Sequence, residues 1–149
     1  MQLRTILVTT DFSDTSRKAL GPALELAKTF GSQLIVAYVE EDRLPPLVLE
    51  YAAVDLAEVQ LHQERLAAER LREFVQQEIG GAVPCEALIG AGTPHAEIVR
   101  LATERKADLI VMATHGRGFI SHAILGSTTE RVLRRAPCPV LVVRDSGSA

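Results

Sequence analysis

In DLIVMATHGRGFISHAILGST (Asp108–Thr128) an unbroken apolar run hands over to a loop with three glycines and two histidines. A Ser-Thr pair then opens the helical stretch STTERVLRRA (Ser127–Ala136). The run DLIVMAT does not alternate apolar with polar residues. Continuous apolarity means burial on both faces, which is the signature of a parallel strand covered by helices on two sides.

The same reading extends outward. RTILVTT (Arg4–Thr10) is a short, β-branched, buried strand, and SDTSRKALGPALELAKTFG (Ser13–Gly31) follows as a helix. Ala19, Leu20, Ala23, Leu24 and Ala27 share one face of that helix. Gly31 is its stop, and Gly21-Pro22 threatens a kink. SQLIVAYVEED (Ser32–Asp42) is the second strand, ending near Val39, and an irregular acidic segment with a Pro-Pro turn comes next. A long helix is expected from Val54 to Ile79, with Leu56, Val59, Leu66, Leu71, Phe74 and Val75 on its apolar face and Gly80-Gly81 at its end. AVPCEALIG (Ala82–Gly90) is the third strand. A third helix follows, with Thr93 as N-cap and Pro94 in its first position. Ser127-x-x-Glu130 fits a capping box at the start of the fourth helix. PVLVVR (Pro139–Arg144) is the fifth strand, and residues 144–149 form a loose tail.

The order β-α-β-α-β-α-β-α-β over 149 residues describes one α/β domain, a doubly wound parallel sheet with right-handed crossovers. In such sheets ligands sit at the carboxyl ends of strands where the strand order reverses. Two ends qualify here: TTDFS after the first strand and MATHGRG after the fourth.

Bulk composition excludes several functions. The chain is 47% hydrophobic, enough for a core, yet no apolar run reaches the roughly 20 residues of a membrane span. The start MQLRTILVTTDFSD does not read as a signal peptide, so a cytoplasmic protein without a membrane partner is expected. The two cysteines, Cys85 and Cys138, form no CxxC pair and are expected to be free thiols. Net charge is −3, but residues 1–99 hold 8 Lys/Arg against 15 Asp/Glu, and residues 100–149 hold 8 against 4. The basic cluster Arg131, Arg134 and Arg135 lies near a helix end, where cations suit the dipole. It lacks the aromatic-laced stripe of a nucleic-acid surface, and no nucleic-acid partner is expected.

Gly116, Gly118 and Gly126 permit close approach of a ligand to the backbone. Gly126-Ser127 opens a helix whose unpaired N–H groups form a natural anion seat, and the hydroxyls of Ser127, Thr128 and Thr129 add donors. The alternative is a simple helix start in which Ser127 caps itself. The loop is neither a Walker A sequence, because the Lys is missing, nor a dinucleotide fingerprint, because Ser121 stands where the third glycine belongs. Asp11 could be a turn or cap residue as readily as a ligand contact, and His115 a phosphate donor or a plain loop residue. His62, His95 and His122 lack partners at metal spacing. No catalytic triad or nucleophile elbow is present.

The spacing Ala113-x-x-Gly116, nine residues, Gly126-Ser127 resembles the G-2x-G-9x-G-S/T signature of ATP-binding universal stress proteins. ILVTTDFSDTSRKAL, LIVAYVEED, ADLIVMATHGRG and GSTTERVLRRAPCPVLVVR resemble that family's opening, second, fourth and closing blocks. The resemblance implies the strand order 3-2-1-4-5 of an adenine nucleotide alpha hydrolase-like fold. It also implies a cofactor: ATP, or ADP or AMP, with Mg²⁺ or Mn²⁺ bridging the phosphates. Thr10 and Asp11 would sit beside adenine and ribose, Val39 against adenine, and Met112 and Ala113 beside base and sugar. His115, Gly116 and Arg117 would lie near the phosphates, which Gly126, Ser127, Thr128 and Thr129 would bind. The family implies a sensor with at most slow hydrolysis, and a homodimer joined through Pro139–Arg144. Two residues depart from the family pattern: Thr9 stands in place of a common Pro, and Ala113 in place of Gly. Ala113 favours an alternative, a nucleotide-free dimeric interaction module. An ATP pyrophosphatase-type enzyme would need a Ser-Gly-Gly loop that TTDFSD lacks.

Overall fold

The structure, a computed structural model, describes residues 1–41, 56–114 and 125–144. The Pro-Pro turn, the expected helix start at Val54, the loop residues His115–Gly118 and the tail after Arg144 lie outside these residues. The described elements are β1 (Thr5–Thr9), α1 (Asp14–Phe30), β2 (Gln33–Glu40), α2 (Leu56–Glu78) and β3 (Cys85–Ala91). They continue with α3 (Pro94–Glu104), β4 (Leu109–Ala113), α4 (Ser127–Arg135) and β5 (Val140–Val143). The five strands form a parallel sheet in the order β3-β2-β1-β4-β5. At its centre β1 pairs Thr5–Thr9 with Gln33–Ala37 on one side and Ile6–Val8 with Leu109–Val111 on the other.

The unbroken apolar strands are explained by two cores. Ile6, Val8, Val36 and Val111 face Ala19, Ala23 and Ala27 of α1 and Leu71 and Phe74 of α2. Leu7, Ile35, Ile110 and Met112 face Ile98, Leu101 and Ala102 of α3 and Val132 of α4. Successive residues serve opposite layers, so every position in the central strands must be apolar. Among the described residues, no helix is long and apolar enough to cross a membrane.

Helix ends show where local sequence and tertiary placement agree. Ser13 caps α1 by accepting a bond from the Ser16 N–H at 3.2 Å. Gly31 closes the helix at φ 65°, its N–H donating to the Ala27 carbonyl. Gly21-Pro22 leaves α1 continuous: with no Cβ at residue 21, the proline ring loses its usual clash with the preceding side chain.

Two local expectations need correction, the cap of α4 and the place of Leu66. The cap of α4 is Gly126, not Ser127, and no side chain caps it, so the capping box does not form. The Gly126 N–H donates to the Thr114 carbonyl at 2.8 Å, which pins the turn one residue earlier. Thr93 does occupy the N-cap of α3, but its side chain makes no capping bond. Leu66 is 51% exposed; the buried face of α2 runs instead through Ala67, Leu71 and Phe74.

Candidate functional site

After β1 the chain turns into α1 on one face of the sheet, and after β4 it heads for α4 on the other. The two carboxyl ends therefore part, as expected at a reversal of strand order. A cavity of about 380 Å³ lies there. Thr9, Thr10, Asp11 and Ser16 form one wall, and Ala37, Tyr38, Val39, Glu40 and Glu41 follow from the end of β2. Pro94 and Ile98 of α3, Met112 and Ala113 of β4, and Gly126 to Thr129 of α4 complete it.

Nine of the twelve residues singled out in the sequence thus meet in one cavity: Thr10, Asp11, Val39, Met112, Ala113, Gly126, Ser127, Thr128 and Thr129. His115, Gly116 and Arg117 lie outside the described residues. The sequence reading missed Tyr38, the pair Glu40 and Glu41, and the α3 residues Pro94 and Ile98. The acidic VEED run was visible, but its placement depends on β2 outlasting β1. Pro94 and Ile98 reach the site only because α3 packs on the same sheet face as α4.

The β1 turn is held by a dense set of hydrogen bonds. The Phe12 N–H donates to Thr10 Oγ1 at 3.0 Å, and the Ser13 N–H donates to Asp11 Oδ1 at 2.9 Å. The Ser13 hydroxyl also donates to Asp11 Oδ1. Thr10 Oγ1 and Ser16 Oγ are 3.1 Å apart, and the Asp11 N–H donates to Ser16 Oγ at 3.3 Å. This lattice fixes the Asp11 carboxylate at the cavity wall.

The edge of β2 offers a second recognition element. The last β1–β2 pair is Thr9 with Ala37, and the Thr10 N–H still reaches the Ala37 carbonyl at 2.9 Å. Backbone groups two residues apart point to the same side of a strand. The N–H and C=O of Val39 therefore face the side that β1 has vacated. One residue on, the Glu40 carbonyl points to β3 and accepts from the Gly92 N–H at 2.9 Å.

Opposite stands the amino end of α4. The N–H groups of Ser127, Thr128 and Thr129 occupy the first turn, where no intrahelical acceptor exists. All three residues line the cavity, with no side-chain cap in competition. The Thr129 hydroxyl is committed inward, donating to the Ala113 carbonyl at 3.0 Å. Positive helix-end potential thus faces a wall bearing Asp11, Glu40 and Glu41, so the cavity is polarised along its length.

Ala113 is the residue where this chain departs from the glycine of the signature. It sits in β4 paired with Val143, and it is not among the non-glycine residues with positive φ, which among the described residues are Phe12 and Lys106. Glycine's conformational freedom is not needed there, and the departure amounts to one buried methyl group. Elsewhere, Cys85 and Cys138 are free thiols. Burial, aided by the Glu86 carboxylate, pushes the Cys85 thiol up to about 11, so its reactive thiolate is scarce near neutral pH. Among the described residues no group of three or more His, Cys, Asp or Glu side chains gathers as a metal site.

A profile of the universal stress protein family matches residues 2–144. Universal stress protein MJ0531 of Methanocaldococcus jannaschii is 37% identical over 141 residues, covering 93% of this chain and 81% of the relative. A universal stress protein of Thermus aquaticus is 37% identical over 142 residues, covering 95% and 98%. Among solved structures, protein MJ0577 superposes with a TM-score of 0.79 at 28% identity over 99% of this chain and all of the other. A universal stress protein in complex with cAMP does so at 0.68 and 29% identity over 98% and 100%. Sequence and fold agree in these likenesses: the chain belongs to the universal stress protein family.

Proposed function

We propose that the crevice between β1 and β4 binds an adenine nucleotide, and that occupancy controls a surface read by other proteins. The chain would then be a nucleotide-dependent regulatory module of a cytoplasmic stress response. The observation that carries this reading is the polarised cavity, with three uncapped helix-end N–H groups at one end and a vacated strand edge at the other. Phosphate belongs at Ser127, Thr128 and Thr129, where the dipole and the N–H groups favour anions. His115, Gly116 and Arg117 would complete the phosphate end. The base belongs at Val39, packed by Met112 and Ala113. There the N–H would donate to adenine N1 and the C=O would accept from the N6 amino group. Guanine presents a donor and an acceptor in the reverse order and is rejected. Thr10 and Asp11 lie between the two ends, beside the ribose. The cAMP held by a relative of the same fold supports an adenosine-phosphate ligand. A Mg²⁺ or Mn²⁺ ion would be held through phosphate oxygens and water, as Mg²⁺ prefers.

Calorimetry on the purified chain tests this. Mg-ATP is expected to bind, with Mg-GTP weaker by about tenfold or more, since a reversed donor-acceptor pair leaves buried groups unsatisfied. A chain that purifies empty and takes up neither nucleotide would instead be the nucleotide-free interaction module. We propose also that two copies join through Pro139–Arg144, because β5 is an apolar sheet edge with Leu141 38% exposed.

A further inference from the structure

Phe12 lies between the site-lining Asp11 and the helix cap Ser13, and its φ of 66° is in the left-handed region that a bulky side chain rarely adopts. A conformation of this kind persists only where surrounding structure holds it, and such positions cluster at binding sites. Here the holding structure is a stack of rings and guanidinium groups. The Phe12 ring lies 4.7 Å from the Tyr38 ring and 5.5 Å, edge to face, from Phe74 of α2. The Arg70 guanidinium sits over the Phe12 ring at 4.2 Å, and that of Arg17 over Phe74 at 5.2 Å. Two members of this stack connect to the cavity, Tyr38 directly and Phe12 through its backbone. The Phe12 backbone closes the turn that presents Thr10 and Asp11. Tyr38 is itself a wall residue, and its hydroxyl donates to Glu40 Oε2 at 2.7 Å.

We infer that Phe12 is a positioning residue of the nucleotide site. Clamped by Arg70 from α2, it sets the Asp11 and Glu40 carboxylates at the edge that reads the ribose hydroxyls. The inference rests on the nucleotide reading above and adds a specificity to it: the site selects ligands with free ribose hydroxyls, because carboxylates accept from them. Replacing those hydroxyls by hydrogen leaves base and phosphate contacts intact.

The test is calorimetry of the full chain with Mg-ATP and with its 2′,3′-dideoxy analogue. The wild-type chain is expected to prefer ATP by about tenfold, the scale of a hydrogen bond to a charged group. Phe12→Leu is expected to lose most of that preference while binding the dideoxy nucleotide within about threefold of wild type; Phe12→Tyr keeps the ring and the preference. Arg70→Ala, at an exposed position, serves even if Phe12→Leu fails to fold, and is expected to reduce the preference at least about twofold. Equal weakening of both nucleotides in Phe12→Leu would mark a merely structural role and overturn the inference. So would an unchanged preference in Arg70→Ala, or a wild-type chain that binds both nucleotides alike. Failure of the wild type to bind ATP at all overturns the nucleotide reading itself, a separate outcome.

Discussion

The Thr129 hydroxyl is 3.0 Å from the Ala113 carbonyl in a setting where Thr129 is only 3% exposed. It ties the first turn of α4 to the end of β4, which are more than a dozen residues apart in the chain. Thr129→Val keeps the shape and removes the donor. It is expected to cost about 1–3 kcal/mol, the penalty for breaking a buried bond and stranding its partner; urea denaturation with an unchanged slope would show it. Glu97 makes a different kind of contact. The Arg100 guanidinium grips it at 3.0 and 2.8 Å and holds its carboxyl below the ordinary value of 4.5, against the opposing pull of partial burial. A depressed carboxyl stabilises the fold above its unfolded pKa, and that contribution vanishes as pH falls through the folded one. Glu97→Gln should therefore lose less stability than wild type as pH falls below the ordinary carboxyl value of 4.5, as followed by chemical denaturation at descending pH. The Thr129 contact is not legible in the sequence. Nothing local marks the Thr129 hydroxyl as structural, because its partner lies sixteen residues back at the end of β4. The left-handed Phe12 was equally hidden: TTDFSD announces a turn, but only the rings of Tyr38 and Phe74 show which residue bears the strain.

Elements were read well where one pattern had one physical cause. A strand covered on both faces must be apolar throughout, which makes β1, β2 and β4 legible in the sequence; the edge strands β3 and β5 are only partly buried and are legible as short apolar runs after Gly and Pro turns. Helix faces were harder. Leu66 was assigned to the core of α2 by hydrophobicity, but Ala67 is the residue that fits beneath the helix. The cap of α4 was misplaced by one position because Gly126 and Ser127 are both good caps, and the bond from Gly126 to Thr114 decides between them. A small residue also governs the packing of α3 on β3. A Cβ at Gly90 would lie 2.9 Å from Glu97 Oε2, 3.3 Å from Glu97 Cβ and 3.4 Å from Val39 Cγ2. Gly90→Ala would have to displace a carboxylate that Arg100 holds. We expect a loss of about 1 kcal/mol or more from overpacking, measured as a lower urea midpoint. Nucleotide affinity should fall with it, since Val39 is a wall of the cavity.

For the molecule as a whole, the sheet has two edges, β3 and β5, and the cavity opens between them at the carboxyl ends of β2, β1 and β4. Pairing of two copies along Val140–Val143 would remove an apolar edge that otherwise invites uncontrolled association. Sedimentation at micromolar concentration should give twice the chain mass, and Leu141→Lys should shift the population to single chains without disturbing nucleotide binding. A wild-type chain sedimenting as a clean monomer would end the idea.

The central pairing of β1 with β4 has a consequence for synthesis. Ile6 must find Leu109, so while a ribosome makes the intervening chain one side of β1 has no strand to bond. At about 10 residues per second that interval lasts on the order of 10 s. For that time the nascent chain leaves one row of backbone N–H and C=O groups of its innermost strand unpaired, and it lacks half of the crevice. The crevice is therefore among the last features of the fold to be completed during synthesis, because β4 supplies one of its walls.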